Sequence, residues 1–241
     1  MRLLEPSYDV VERVVTFRLP AGDALEPGLL YQLEIGTPTP SEASGFRAFD
    51  GAPLEAADVA LDLSFLTARE APAPETAVAL ATCAEAMAVL DGGGCAGCHS
   101  SAADAPLGLH LDTARALRET AVGRVARETD VGPVAGRPLV APPRFGVGMP
   151  RIDPGNPGTS YLLYKLLRNP GSFRDCTSLH RAAMPVRGCA GPSPAELDRL
   201  RDWSVPLDPM PPGSASLPGG LADLQLLQSF ILGGADTSAC P

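Results

Sequence analysis

The chain has 241 residues, 26 of them proline and 25 glycine, which allows one large or two small domains with long loops and few strands. Its net charge of −9, from 28 Asp and Glu against 19 Lys and Arg, argues against a surface for nucleic acid or for anionic membranes. No apolar run is long enough to cross a bilayer.

Residues 1–70 read as β structure. Val15, Phe17 and Leu19 alternate, as do Tyr31, Leu33 and Ile35, and then Leu61, Leu63 and Phe65. Turn signals separate them at Pro20-Ala21-Gly22-Asp23, Glu26-Pro27-Gly28 and Phe49-Asp50-Gly51. Pro72 and Pro74 mark a linker over residues 68–75. The pattern then turns helical from Glu75 to Leu90, with Ala79, Cys83, Met87 and Leu90 on one stripe and Gly92 as a stop. Further helices are predicted over Asp112–Val122, Ser160–Leu167, Pro194–Trp203 and Leu221–Leu232. Ser193 and Glu196 form a capping box for the fourth helix of the series, and Gly233-Gly234 ends the last. Gly132–Pro157 reads as loop, and Trp203, the single tryptophan, as core.

The run Gly92-Gly93-Gly94-Cys95-Ala96-Gly97-Cys98-His99 carries the most chemistry. Cys-x-x-Cys-His is the attachment pattern of c-type haem. On a helical turn Cys95 and Cys98 share a face, so both thiols can add to the vinyl groups along one haem edge. His99 then turns its imidazole to the iron as proximal ligand. The competing chemistries are a zinc site drawing on Cys176, His180 and Cys189, and a thioredoxin-type dithiol. No common zinc spacing fits, and an Ala-rich helix rather than a strand precedes the pair.

The remaining cysteines, Cys83, Cys176, Cys189 and Cys240, are even in number. Haem attachment outside the cytoplasm allows them to pair, and Cys176–Cys189 and Cys83–Cys240 are the expected disulfides, against four buried thiols. The start, Met1-Arg2-Leu3-Leu4-Glu5-Pro6, lacks the apolar run of a secretory leader, so export implies a start further upstream.

Two resemblances follow from these residues. The stretches Leu25–Tyr31 and Gly45–Gly51 resemble the later strands of bacterial Ig-like domains. Cys95–His99, Leu107–Asp112, Asp153–Leu166, Met210-Pro211-Pro212-Gly213 and Phe230–Ala235 occur in the order found in loop-rich cytochrome c domains of myxobacterial and planctomycete envelope proteins. The resemblance implies a mixed fold: a small all-β, partial Ig-like segment at 1–70, then a mainly-α cytochrome c-like domain at 71–241 with one covalent haem c. It implies electron transfer in the periplasm or envelope, with redox proteins as partners and without enzymatic turnover.

For the distal iron ligand, the family pattern points to Met210, held between Pro209, Pro211 and Pro212; Met184 is the alternative. Met87 reads as core, and Met149 sits in a loop before Pro150. His110 and His180 are the histidine candidates. Tyr161, Tyr164, Lys165 and Arg168 could bracket a haem edge but read better as helix packing with a basic tip. Two other functions compete with electron transfer: a peroxidase-type haem enzyme with an open distal site, and an envelope interaction module with structural haem.

Overall fold

The structure is a computed structural model that describes residues 4–11, 14–19, 23–35, 62–70, 79–102, 105–126, 149–169, 193–199, 208–213 and 215–240. It contains two antiparallel two-stranded ribbons and a set of short helices. β1 (Glu5–Asp9) pairs with β2 (Val14–Arg18), and β3 (Leu30–Glu34) pairs with β4 (Asp62–Leu66). The helices are α1 (Cys83–Gly92), α2 (Cys95–Cys98), α3 (Ala114–Thr120), α4 (Tyr161–Leu167), α5 (Pro194–Arg199) and α6 (Leu221–Leu232).

The alternation of apolar residues does produce strands. In the second ribbon Tyr31 lies opposite Phe65, with ring centroids 6.0 Å apart, and Leu33 lies opposite Leu63. The partial Ig-like reading is corrected. Among the described residues the ribbons are separate two-stranded sheets, and no hydrogen-bonded ladder joins them into a sandwich layer. Part of the first ribbon serves the helical core instead. Val10 and Val11, at its turn, are buried, and the Val11 N–H donates to Gln228 Oε1 on α6 at 3.2 Å.

α1 starts eight residues later than its periodicity predicts. Thr82 is the reason: its side chain accepts from the Glu85 N–H at 3.3 Å, while Glu85 accepts from the Thr82 N–H at 2.7 Å. Cys83, Ala86, Val89 and Leu90 are buried along this helix, and Met87 is half-buried. They face Leu224, Leu227 and Ile231 of α6 in one apolar cluster. Residues 79–82 precede the helix without regular structure, and the Ala81 N–H donates to Ser229 Oγ on α6 at 3.0 Å.

A disulfide between Cys83 and Cys240 closes the pair, with Cα atoms 5.2 Å apart across 157 positions of sequence. It is the pairing expected from the even cysteine count. The other expected pair, Cys176–Cys189, lies outside the described residues, as do His180, Met184 and Trp203. α6 spans the predicted bounds and stops at Gly233; α4 matches its prediction to within a residue. α3 is shorter than predicted because Thr113 caps it, accepting from the Ala116 N–H at 3.1 Å. α5 begins at Pro194 as predicted, with the Leu197 N–H on the Ser193 carbonyl at 3.0 Å; the Glu196 side chain of its capping box and residues 200–207 lie outside the description. Among the described residues no helix is long and apolar enough to cross a membrane.

Opening the disulfide in the Cys83→Ala, Cys240→Ala variant is expected to cost about 2–4 kcal/mol, read as a lower urea midpoint with a steeper slope, because the unfolded chain released from the cross-link exposes more surface. Thr82→Ala is expected to cost about 1 kcal/mol by removing the cap of α1.

Candidate functional site

α1 delivers the chain into a tight bend. Gly93 sits where a Cβ would meet Leu217 Cδ2 and the Val89 carbonyl oxygen, each at 3.1 Å, and Gly94 has φ +69°. The four-residue α2 follows at once, so Cys95 and Cys98 sit one turn apart. His99 caps α2 with its N–H on the Cys95 carbonyl at 2.9 Å.

The next stretch folds back on this turn. The Leu111 N–H donates to the His99 carbonyl at 2.7 Å. His99 Nδ1 lies 3.1 Å from the Leu109 carbonyl oxygen, which can only accept. Nδ1 therefore carries the proton, and in the neutral ring Nε2 is the basic nitrogen. Asp112 closes the return by accepting from Ser101 through its N–H at 2.9 Å and its Oγ at 2.6 Å; these bonds hold its carboxyl below the usual range. Arg151 pins the far side, donating from Nη1 to the Thr120 carbonyl at 2.6 Å and from Nη2 to the Leu107 carbonyl at 2.7 Å. Leu107 has φ 55°, in a bend that this clamp spans.

The opposite wall comes from α4 and the Met210 loop. The Met210 N–H donates to the Lys165 carbonyl at 3.3 Å. Asn169 Nδ2 holds the Pro211 and Ala215 carbonyls at 2.8 and 2.6 Å. A prolyl loop is thereby fastened to the C-terminal end of α4.

Between these walls lies a cavity of about 290 Å³. Its wall includes Cys95, Cys98, His99 and Met210, with Leu109, Leu111, Ile152 and Leu166 among its apolar lining. The residues singled out in the sequence thus share one cleft, although Met210 is over a hundred positions from His99. Tyr161 and Lys165 also line it. Tyr164 does not: its hydroxyl donates to the Gly158 carbonyl at 2.7 Å, and burial pushes its pKa well above the ordinary value. His110 is turned elsewhere, with Nδ1 on the Ser100 carbonyl at 2.9 Å. Met149 is buried core and Met87 packs against that core. Arg151 carried no signal in the sequence, since its clamp depends on carbonyls 31 and 44 positions away.

The metal reading of the Cys-x-x-Cys-His run is corrected here. Among the described residues no group of three or more His, Cys, Asp or Glu side chains is placed to hold a metal ion. The two thiols and the imidazole lie along a cavity wall rather than gathering on one point. Among the described residues Cys83 and Cys240 form a disulfide, and Cys95 and Cys98 are free thiols. The chain is accordingly not assigned to the c-type cytochromes. The same finding corrects haem c, bound iron and electron transfer by a non-enzymatic carrier, and with them the peroxidase-type and structural-haem alternatives. No family model, curated protein or solved structure matches the chain.

Burial pushes the Cys95 thiol up, and the neighbouring Cys98 adds to the shift. A raised pKa leaves less thiolate at neutral pH, the opposite of what activates a redox or nucleophilic cysteine. Cys98 is exposed. Iodoacetamide near neutral pH is therefore expected to label Cys98 first, with Cys95 catching up as the pH rises. Peptide mapping of a labelling time course checks the order.

Proposed function

We propose that this chain is a small-molecule-binding protein whose cleft takes one apolar ligand against Cys95, Cys98, His99 and Met210. The observation that carries the reading is the cavity of about 290 Å³, bringing these four side chains together from separate parts of the chain. That volume is near the lower end of small-molecule sites, and a mainly apolar wall with a few polar groups is the usual composition of such sites. The thioether of Met210 and the methyl and ring carbons around it supply dispersion contact. His99 supplies one fixed hydrogen-bonding nitrogen, oriented through Leu109. Cys95 and Cys98 lie at the wall, where their sulfur atoms add dispersion contact with the ligand.

The raised Cys95 pKa supports binding over dithiol exchange, which relies on a lowered one. The Cys83–Cys240 disulfide supports a location outside the reducing cytoplasm, in the periplasm or envelope. Its partner there would be a protein whose docking face complements a net charge of −9. The cleft residues all lie between Gly93 and Pro212, and the turn of the first ribbon, Val10 and Val11, packs into the core behind them.

Paired native and denaturing mass spectrometry of exported protein tests the reading. The native mass is expected to exceed that of the chain by one small molecule, and Met210→Ala and His99→Ala are expected to lower its retention. A bare chain in the native spectrum, even after incubation with an envelope extract, would falsify the proposal.

A further inference from the structure

The rim of the cleft carries a strained residue. Leu107 sits at φ 55° and ψ 23°, a left-handed conformation that a Cβ disfavours and that glycine adopts freely. The turn around it holds it there. Pro106 precedes it, the Gly108 N–H donates to the Ala105 carbonyl at 3.0 Å, and the Leu109 N–H donates to the Pro106 carbonyl at 3.2 Å. Arg151 Nη2 donates to the Leu107 carbonyl at 2.7 Å from 44 positions away. A backbone conformation of this kind persists only where its surroundings impose it, and such residues gather at ligand sites.

The side chain is as unusual as the backbone. Leu107 lines the cavity yet is 38% exposed, so the core does not take up its apolar surface. A residue that borders both cavity and solvent stands at the rim. The other exposed lining residues are Gly94, Cys98, Pro106 and Pro212, none of which has a large, rotatable apolar side chain. Leu109, two residues on, is less exposed and packs against the core.

We infer that Leu107 is a ligand-contacting residue that sets the specificity of the cleft at its rim, where it covers the outer, apolar end of the bound molecule. This rests on the cleft being the binding site. The left-handed backbone keeps the side chain on the cavity wall, and the Arg151 clamp sustains that backbone. A ligand with an apolar outer end takes the exposed surface of Leu107 out of water. A ligand that ends there in a charged group loses hydration against hydrocarbon and is selected against.

Titration of the full-length protein with N-phenylnaphthylamine, a neutral dye that fluoresces in apolar sites, tests this, with urea unfolding of each variant alongside. Leu107→Gly and Leu107→Asn are expected to weaken the dye about fivefold, the loss of about 40 Å² of apolar contact. Neither is expected to lower the urea midpoint, because both residues tolerate a left-handed φ. Leu107→Met keeps an apolar side chain of similar volume and is expected to hold the affinity within about twofold. Unchanged affinity in Leu107→Gly and Leu107→Asn overturns the inference and leaves the cleft reading standing. A weakening that comes with a lower urea midpoint in both does the same, since Leu107 is then packing for the fold. Equal losses in Leu107→Met and Leu107→Gly also overturn it, because apolar cover is then not what the site uses. Dye binding that is absent from the wild type, or that Met210→Ala does not weaken, overturns the cleft reading and this inference with it.

Discussion

The contact between α1 and α6 is the constraint on which the rest of the described structure depends. Cys83, Ala86, Val89 and Leu90 bury against the face of α6 that carries Leu224, Leu227 and Ile231, and the Cys83–Cys240 bond ties the start of one helix to the residues beyond the other. Burial of this kind contributes about 25 cal/mol for each Å² of apolar surface. The disulfide adds by restricting the unfolded chain. The same pair also recruits the first ribbon, because Gln228 of α6 accepts from Val11 while Val10 and Val11 enter the core. With α1 fixed, the direction in which Gly93 and Gly94 release the chain is fixed too, and α2 has little freedom in where it places its two thiols.

The cleft is then closed by main-chain carbonyls held by side chains from distant segments. Arg151 spans from α3 to the bend at Leu107, and Asn169 fastens the loop that follows Met210. Neither amino acid is needed for a helix or strand of its own. Each satisfies carbonyls at a helix C-terminus or in irregular chain, where no intrahelical or ladder partner reaches them. A protein with 26 prolines has many such segments, and side-chain donors take over the work of secondary structure. This explains how a wall made mostly of loops can hold a defined cavity.

The thiols read differently once their surroundings are known. A Cys-x-x-Cys pair on one helical turn fits several chemistries, and its spacing alone does not separate them. Burial raises the Cys95 pKa, which is the direction of a packed thiol rather than of an activated one. The imidazole beside it is oriented by a backbone carbonyl, and the opposite wall is apolar apart from buried cations.

The sequence by itself determined what depends on near neighbours. The bounds of α6, the stop of α1 at Gly92, the apolar character of α4 and the alternation in β2 and β3 all follow from local periodicity and turn chemistry. The late start of α1, which periodicity misplaced at Glu75, follows from the Thr82–Glu85 capping box that the structure shows. The pairing of Cys83 with Cys240 was legible because an even count left few choices. Tertiary structure decided the rest. It split the β region into two ribbons and sent the turn of one into the helical core. It turned His110 away from the cleft and His99 along it, and brought Arg151 and Lys165 into the same wall. It also replaced a metal centre, inferred from one short motif, with an apolar cavity bordered by thiols. The reason is physical: spacing along a chain sets which side chains share a turn, whereas the environment that gives those side chains their chemistry is assembled from residues far apart in sequence.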